Sequence, residues 1–293
     1  MRQILIFFFL ALLLIVSSCT PQVSSMDEET EHQLIEQYGE PTVVRLSRAG
    51  TLRQQLTEIG EEQWQFIRVM GEMNAEDLAY LNSCEARFYV RVLDLLDATI
   101  LAGDSAYLKN MDEDAYLITE DNVLGSYQFD GLLHLEKLYL PLRLTKIAAK
   151  ALFGRSDLNY ISMPQTLREV GDYAFNGCSR LTSVVLPDSL RIIGNQPFPS
   201  SVKSIRIPRS VQTLHQSGVG EFEDIYMEWT PAEVEKFKDV SLEWIKYSHE
   251  GDRPIVTFMR PTLHVPADYV EAYKESFRTA CKVVPDEPIT LNP

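Results

Sequence analysis

Val170-Gly171-Asp172-Tyr173-Ala174-Phe175-Asn176-Gly177-Cys178-Ser179-Arg180-Leu181-Thr182-Ser183-Val184-Val185-Leu186-Pro187 decides the fold, because its pattern recurs on both sides with a 23-residue period. Leu135, Leu158 and Leu181 open successive units. Leu138, Ile161 and Val184 follow, then Leu140, Met163 and Leu186, each with a proline behind it: Pro141, Pro164 and Pro187. Leu144, Leu167 and Leu190, then Ile147, Val170 and Ile193, and finally Leu152, Phe175 and Phe198 complete the set. A fourth unit, two residues shorter at its first turn, runs through Val202, Ile205, Ile207, Pro208, Val211 and Leu214. Apolar positions and a proline held in step describe a solenoid, whose units bury their faces only against their neighbours.

Within each unit, Leu-x-x-Leu-x-Leu-Pro sets alternate residues on one side of a short strand. Leu138 and Leu140 then point inward, and Lys137 and Tyr139 point out. The proline lacks an amide hydrogen, so strand pairing stops there. The second half of each unit, such as Leu190-x-x-Ile193-Gly194, returns along the other wall. Gly171 and Gly194 match there and suggest a backbone conformation costly for other residues, although Ala148 holds the place in the first unit. Gly154 and Gly177 also align, and Asn176-Gly177 is a tight-turn pair. Stacking strands ~4.8 Å apart predicts one continuous parallel sheet across the units.

The quoted stretch resembles the BspA-like leucine-rich repeat family, whose units read roughly Ile-Gly-x-x-Ala-Phe-x-x-Cys-x-x-Leu-x-x-Ile-x-Leu-Pro. The resemblance runs from about Leu132 to Tyr226. Flanking units depart from it: Ala151-Leu152 and Pro197-Phe198 replace Ala-Phe, and Ser156 is read at the cysteine place. Thr262 to Tyr273 looks like the closing unit, a strand and a short helix. Val92 to Ile100 looks like a degenerate opening unit. The resemblance implies surface-exposed or secreted proteins of anaerobic bacteria, often adhesins or host-contact proteins, with no catalytic residues to carry over.

The first residues read as a processing signal. Arg2 precedes an apolar run from Ile4 to Val16, too short to span a bilayer and suited to a signal-peptide core. Val16-Ser17-Ser18-Cys19 resembles a bacterial lipobox, with lipid carried on Cys19; an ordinary secretory signal is the alternative. Thr20 to Glu40 is polar and acidic and reads as a tether. The expected organisation is a lipoprotein signal peptide over 1–18, a flexible tether over 19–40 and an α/β N-terminal cap with degenerate repeats over 41–125. Leucine-rich repeats follow over 126–228 and a C-terminal cap over 229–293. Asp27-Glu28-Glu29 resembles a surface-export signal, so the expected location is the cell envelope, on the outer membrane and facing outward.

The chain of 293 residues is 45% hydrophobic, enough for a sizeable core, and carries a formal charge of −15. That charge argues against nucleic acid and against docking on anionic lipid, leaving the N-terminal lipid as the membrane contact. Of the four cysteines, Cys178 reads as a small core residue, while Cys84 and Cys281 stand near opposite ends and are not expected to pair. No cysteine pair has metal-site spacing.

The flanks read as α/β caps. Thr42–Leu46, Gln65–Val69 and Val92–Leu95 are expected strands; Thr51–Ile59 and Ala75–Leu81 are expected helices, capped by Thr51 and Asn74. Beyond the repeats, Pro231–Phe237 starts a helix, Leu242–Tyr247 is a strand, His249–Pro254 a loop and Ala267–Phe277 the closing helix. The fold class is thus α/β, a leucine-rich repeat solenoid of ~23-residue units between two caps.

No Gly-x-Ser-x-Gly, phosphate loop or His-Glu-x-x-His is present. The five histidines are scattered, and Asp112-Glu113-Asp114 lacks the glycine of a calcium loop. The expectation is a non-enzymatic recognition protein without cofactor or metal. Its candidate binding face is the outward row Lys137, Tyr139, Tyr160, Ser162, Ser183, Val185, Ser204, Arg206, Asp224 and Tyr226. Tyrosines beside polar groups suit a protein or glycan ligand. Trp229, Trp244 and Tyr247 offer an alternative sugar platform, or pack under the cap.

Overall fold

The structure, a computed structural model, describes residues 26–83, 89–110, 115–215, 221–238, 240, 242, 244–250, 253–277 and 282–285. The signal segment, Cys19, Cys84, Cys281 and Asp112-Glu113-Asp114 lie outside them.

The chain opens with α1 (Glu28–Tyr38), β1 (Thr42–Leu46), α2 (Leu52–Ile59), β2 (Phe66–Met73), α3 (Ala75–Leu81), β3 (Val92–Asp94) and β4 (Ala98–Ile100). A hairpin follows, β5 (Ala106–Asn110) and β6 (Ala115–Ile118), and then the repeats begin. Their front strands are β8 (Lys137–Tyr139), β10 (Tyr160–Ser162), β13 (Ser204–Ile207) and β15 (Asp224–Met227). Their back strands are β7 (Val123–Leu124), β9 (Lys146–Ile147), β11 (Glu169–Val170), β12 (Ile192–Ile193) and β14 (Thr213–Leu214). The end is built from α4 (Pro231–Val234), β16 (Trp244–Glu250), β17 (Arg253–Met259), β18 (Thr262–Val265), α5 (Val270–Ser276) and β19 (Lys282–Pro285).

All wall strands pair in parallel. The back wall runs β7-β9-β11-β12-β14 without a break. The front wall comes in two panels, β1-β2-β3-β8-β10 and β13-β15-β18-β19. One continuous front sheet was expected; instead residues 181–187 form no strand. The break falls where the unit shortens: Leu158 to Leu181 spans 23 residues, Leu181 to Val202 only 21. Ser183 and Val185 therefore lie between the panels, with Val185 83% exposed.

One apolar core fills the space between the walls. Leu138, Leu144, Ile147, Leu158, Leu167, Val170, Leu181, Leu190 and Ile193 are fully buried, as the repeat demands. Phe175 and Phe198 stack at 5.9 Å and Phe198 meets Phe222 at 6.2 Å, continuing the row begun by Leu152. A hydroxyl ladder locks successive units: Thr166 donates to the Leu144 carbonyl at 2.7 Å, Ser189 to Leu167 at 2.6 Å and Ser210 to Leu190 at 2.6 Å. Buried carbonyls at the tight turns are thus satisfied by the next unit.

Gly171 and Gly194 are required for room rather than for backbone angle. A Cβ on Gly171 would lie 2.5 Å from the Ala149 nitrogen of the preceding unit. Gly177, at φ +83°, does need glycine, as the Asn176-Gly177 turn implies. Cys178 is buried and its thiol donates to the Leu152 carbonyl at 3.2 Å. Arg155, rather than Ser156, stands at its place one unit earlier, where its backbone amide bonds Leu152 as that of Cys178 bonds Phe175. The Arg155 guanidinium reaches the Asp130 carboxylate at 2.9 Å.

The N-terminal cap keeps the expected order β1-α2-β2-α3-β3 with different fastenings. Asn74 and Asp77 form a capping box on α3. Thr51 does not cap α2; its hydroxyl donates to the Arg48 carbonyl. Asp77, 1% exposed, instead accepts the amides of Gly50 at 2.7 Å and Leu52 at 2.9 Å, holding the start of α2 from α3. At the far end His249–Pro254 is no loop, since β16 and β17 form an antiparallel hairpin across it. β19 adds a strand beyond the closing helix, pairing with β18.

Candidate functional site: the outward face of the front wall

Strand register sets two rows of outward side chains. Phe66, Val92, Lys137 and Tyr160 align across the first panel, and Arg68, Asp94, Tyr139 and Ser162 beside them. In the second panel Ser204, Asp224 and Thr262 align, and Arg206, Tyr226 and His264.

The first panel is largely covered. Residues Glu28–Tyr38, expected within a flexible tether, form α1, which lies across the outward positions. Asp27 caps the helix by accepting the Thr30 amide at 2.8 Å, which holds its carboxyl below the usual carboxylate range. Glu28, Glu29 and Glu31 suit the helix N-terminus. Glu31, Leu34, Ile35 and Tyr38 form the less exposed stripe, spaced i, i+3, i+4, i+7. Leu34 packs with Phe66, Val92, Leu96 and Tyr139 in a separate apolar cluster, flanked by Met26, Tyr38 and Leu142. Polar contacts frame it: Arg68 bridges Asp94 at 2.6 Å and Glu31 at 2.9 Å, and the Tyr38 hydroxyl donates to Glu136 at 2.9 Å.

Tyr139 is therefore not a surface residue. It is 4% exposed, and burial pushes its hydroxyl pKa up beyond the usual range. Its place on the binding face is corrected: an outward strand position is solvent-facing only where no other element lies on it. α1 has 11 residues, short of the roughly 12–15 at which isolated helices become even marginal in water. Its order depends on docking, to which burying Leu34 contributes about 1.5–3 kcal/mol. Gly39, at φ +83° with no atom near its Cβ position, ends the helix, and Pro41 leads into β1.

Beyond α1 the face opens. Tyr160 is 41% exposed, its ring 5.1 Å from that of Tyr139 and under the Lys137 ammonium at 5.7 Å. Ser162 is turned to structure, accepting the Leu140 amide at 2.8 Å. Ser183, Val185 and Ser204 are exposed. Arg206 is held between Asp188 at 2.9 Å and Glu228 at 3.4 Å. Tyr226 stacks on His264 at 4.3 Å, and His264 meets Asp224 at 2.8 Å. The second panel thus presents pre-positioned groups that lose little freedom on binding.

The aromatic alternative at the C-terminal cap is reduced. Trp229 is fully buried, donates from its indole to the Pro208 carbonyl at 3.1 Å and packs on Phe237 at 4.4 Å. Its backbone amide is accepted by the Tyr273 hydroxyl at 2.9 Å, so it serves as a core of the cap and not as a sugar platform. Among the described residues no group of three or more His, Cys, Asp or Glu side chains could hold a metal ion.

Two parallel walls, a proline behind β8, β10 and β13 and interlocked 23-residue units define a leucine-rich repeat solenoid. Residues 122–243 match, in six copies, the family described as the BspA type leucine rich repeat region. Such repeats are protein-interaction modules, typically without enzymatic activity, and are often found on bacterial surface proteins. A leucine-rich repeat protein from Bacteroides ovatus, known from a crystal structure, is similar at 23% identity with a TM-score of 0.31. The likeness covers 37% of this chain and 36% of that one, so the chain spans about a third of that relative. No curated protein matches. No described helix is long and apolar enough to cross a membrane.

Proposed function

We propose that the chain is a lipid-anchored envelope protein that recognises a protein partner through the open part of its outward face. That part runs from Tyr160 through Val185, Ser204 and Arg206 to Tyr226 and His264. The observation that carries this reading is the contrast along the face, closed over by α1 at one end and left open with fixed side chains at the other. Asp188, Asp224 and Glu228 surround Arg206 and Tyr226, so the partner surface it suits is neutral to basic. Anchoring rests on Cys19, and adhesion is the role that an outward display of this face would serve.

Replacing Tyr160, Arg206 and Tyr226 together with alanine tests the face. Partner capture is expected to fall more than tenfold while the fold, followed by circular dichroism, persists; capture at the wild-type level would sink the choice of face. Cys19→Ser tests the anchor, moving the protein from the membrane fraction to the soluble one.

A further inference from the structure

The groove under α1 has the features of a recognition site whose ligand is already in place. Its floor is Phe66, Val92 and Tyr139 on outward strand positions, with Leu96 from the turn after β3, apolar groups that a solvent-facing surface would not choose. Its rim carries Arg68, which takes a carboxylate from the floor and a second one, Glu31, from the helix. What the helix offers is compact: Glu31, Leu34 and Tyr38 at i, i+3 and i+7, with Asp27, Glu28 and Glu29 at its start. On its C-terminal side the helix joins β1 through the short segment Gly39-Glu40-Pro41, and Gly39 has open space around it. Beside it lies an open cleft lined by Met26, Val43, Arg45, Arg68, Met70 and Asp97, so the helix is not walled in.

We propose that this groove is a docking site for a carboxylate-rich amphipathic helix, occupied in cis by α1 and able to accept a partner helix of the same chemistry in its place. Leu34 and Tyr38 define the anchors such a partner presents four residues apart, and Glu31 defines the carboxylate read by Arg68. A short linker gives α1 a high effective concentration, so a partner gains the groove only when α1 is loosened or when its own helix binds more tightly. The inference concerns the covered panel and holds whether or not the open panel binds anything.

The test uses the full chain and a fluorescent peptide of residues 26–40. In the variant Leu34→Glu with Tyr38→Ala, amide exchange over residues 28–38 is expected to rise to that of a free peptide. The wild-type peptide is then expected to bind this variant at least tenfold more tightly than the wild-type chain, by fluorescence anisotropy. Peptides carrying Leu34→Glu or Glu31→Lys are expected to lose that binding, which removes any question of the protein's own folding. Persistent protection of residues 28–38 in the variant would overturn the assignment of these anchors. Release of α1 without peptide binding, or equal binding of the altered peptides, would overturn the docking site and leave α1 a structural cover.

Discussion

Tyr139 and Tyr160 stand on neighbouring strands of one sheet, both at outward positions, yet one is 4% exposed and the other 41%. The first belongs to the panel covered by α1, the second to the margin where the cover ends. A repeat dictates which side of a strand a residue takes; it does not dictate what lies on that side. The two panels also differ in how their polar groups are used. Arg68 in the covered panel ties a strand to a helix, whereas Arg206 in the open one ties only to Asp188 and Glu228 beside it. The covered end is a closed interface, and the open end keeps Tyr160 and Val185 exposed.

The difference can be broken most forcefully at the core positions that hold each panel. Trp229→Ala removes the packing centre of the C-terminal cap and its bond to Pro208, and should destabilise by about 3–5 kcal/mol in urea unfolding. Next, Tyr139→Ala is expected to cost about 3 kcal/mol, while Tyr160→Ala costs about 1 kcal/mol or less. Equal effects would mean that α1 does not seal the first panel. Ser189→Ala, which removes one rung of the hydroxyl ladder and leaves the Leu167 carbonyl unpaired, should cost about 1 kcal/mol.

What the chain reveals of itself without coordinates follows from how locally each feature is determined. The inward positions are legible because burial repeats every 23 residues and a slip would expose them all. Cys178 is legible for the same reason: burial raises its thiol to about 12, and its labelling by thiol reagents at neutral pH should require unfolding. The cover is hard to read because α1 carries few apolar groups, and its stripe of Leu34, Ile35 and Tyr38 is outweighed by the glutamates around it. Asp27 before an acidic turn was the available signal. Similarly, Gly251-Asp252 between two runs of β-formers carries a hairpin signal that the separate reading of Leu242–Tyr247 passes over. The panel break is encoded only as a two-residue shortening, whose consequence depends on stacking geometry and not on any local preference.

The smallest effect separates the two ends by pH. Glu233 accepts the Thr230 amide at 2.8 Å and the Thr230 hydroxyl at 2.7 Å, with Arg209 at 2.9 Å, and these bonds lower its pKa from near 4.5 to about 2. Because the folded value is depressed, the carboxylate supports α4 fully above pH 4.5, and the support is lost as pH falls toward 2. Glu233 is partly exposed, so the energetic weight is small and the titration itself is the measurement. In carboxyl-detected NMR its midpoint should sit near 2, and Thr230→Ala, which keeps the backbone amide, should raise it only part of the way back. Asp27 makes the matching contact at the start of α1, with its carboxyl also lowered. If acid frees α1 before it frees α4, the cover is the weaker of the two closures, as a displaceable ligand must be.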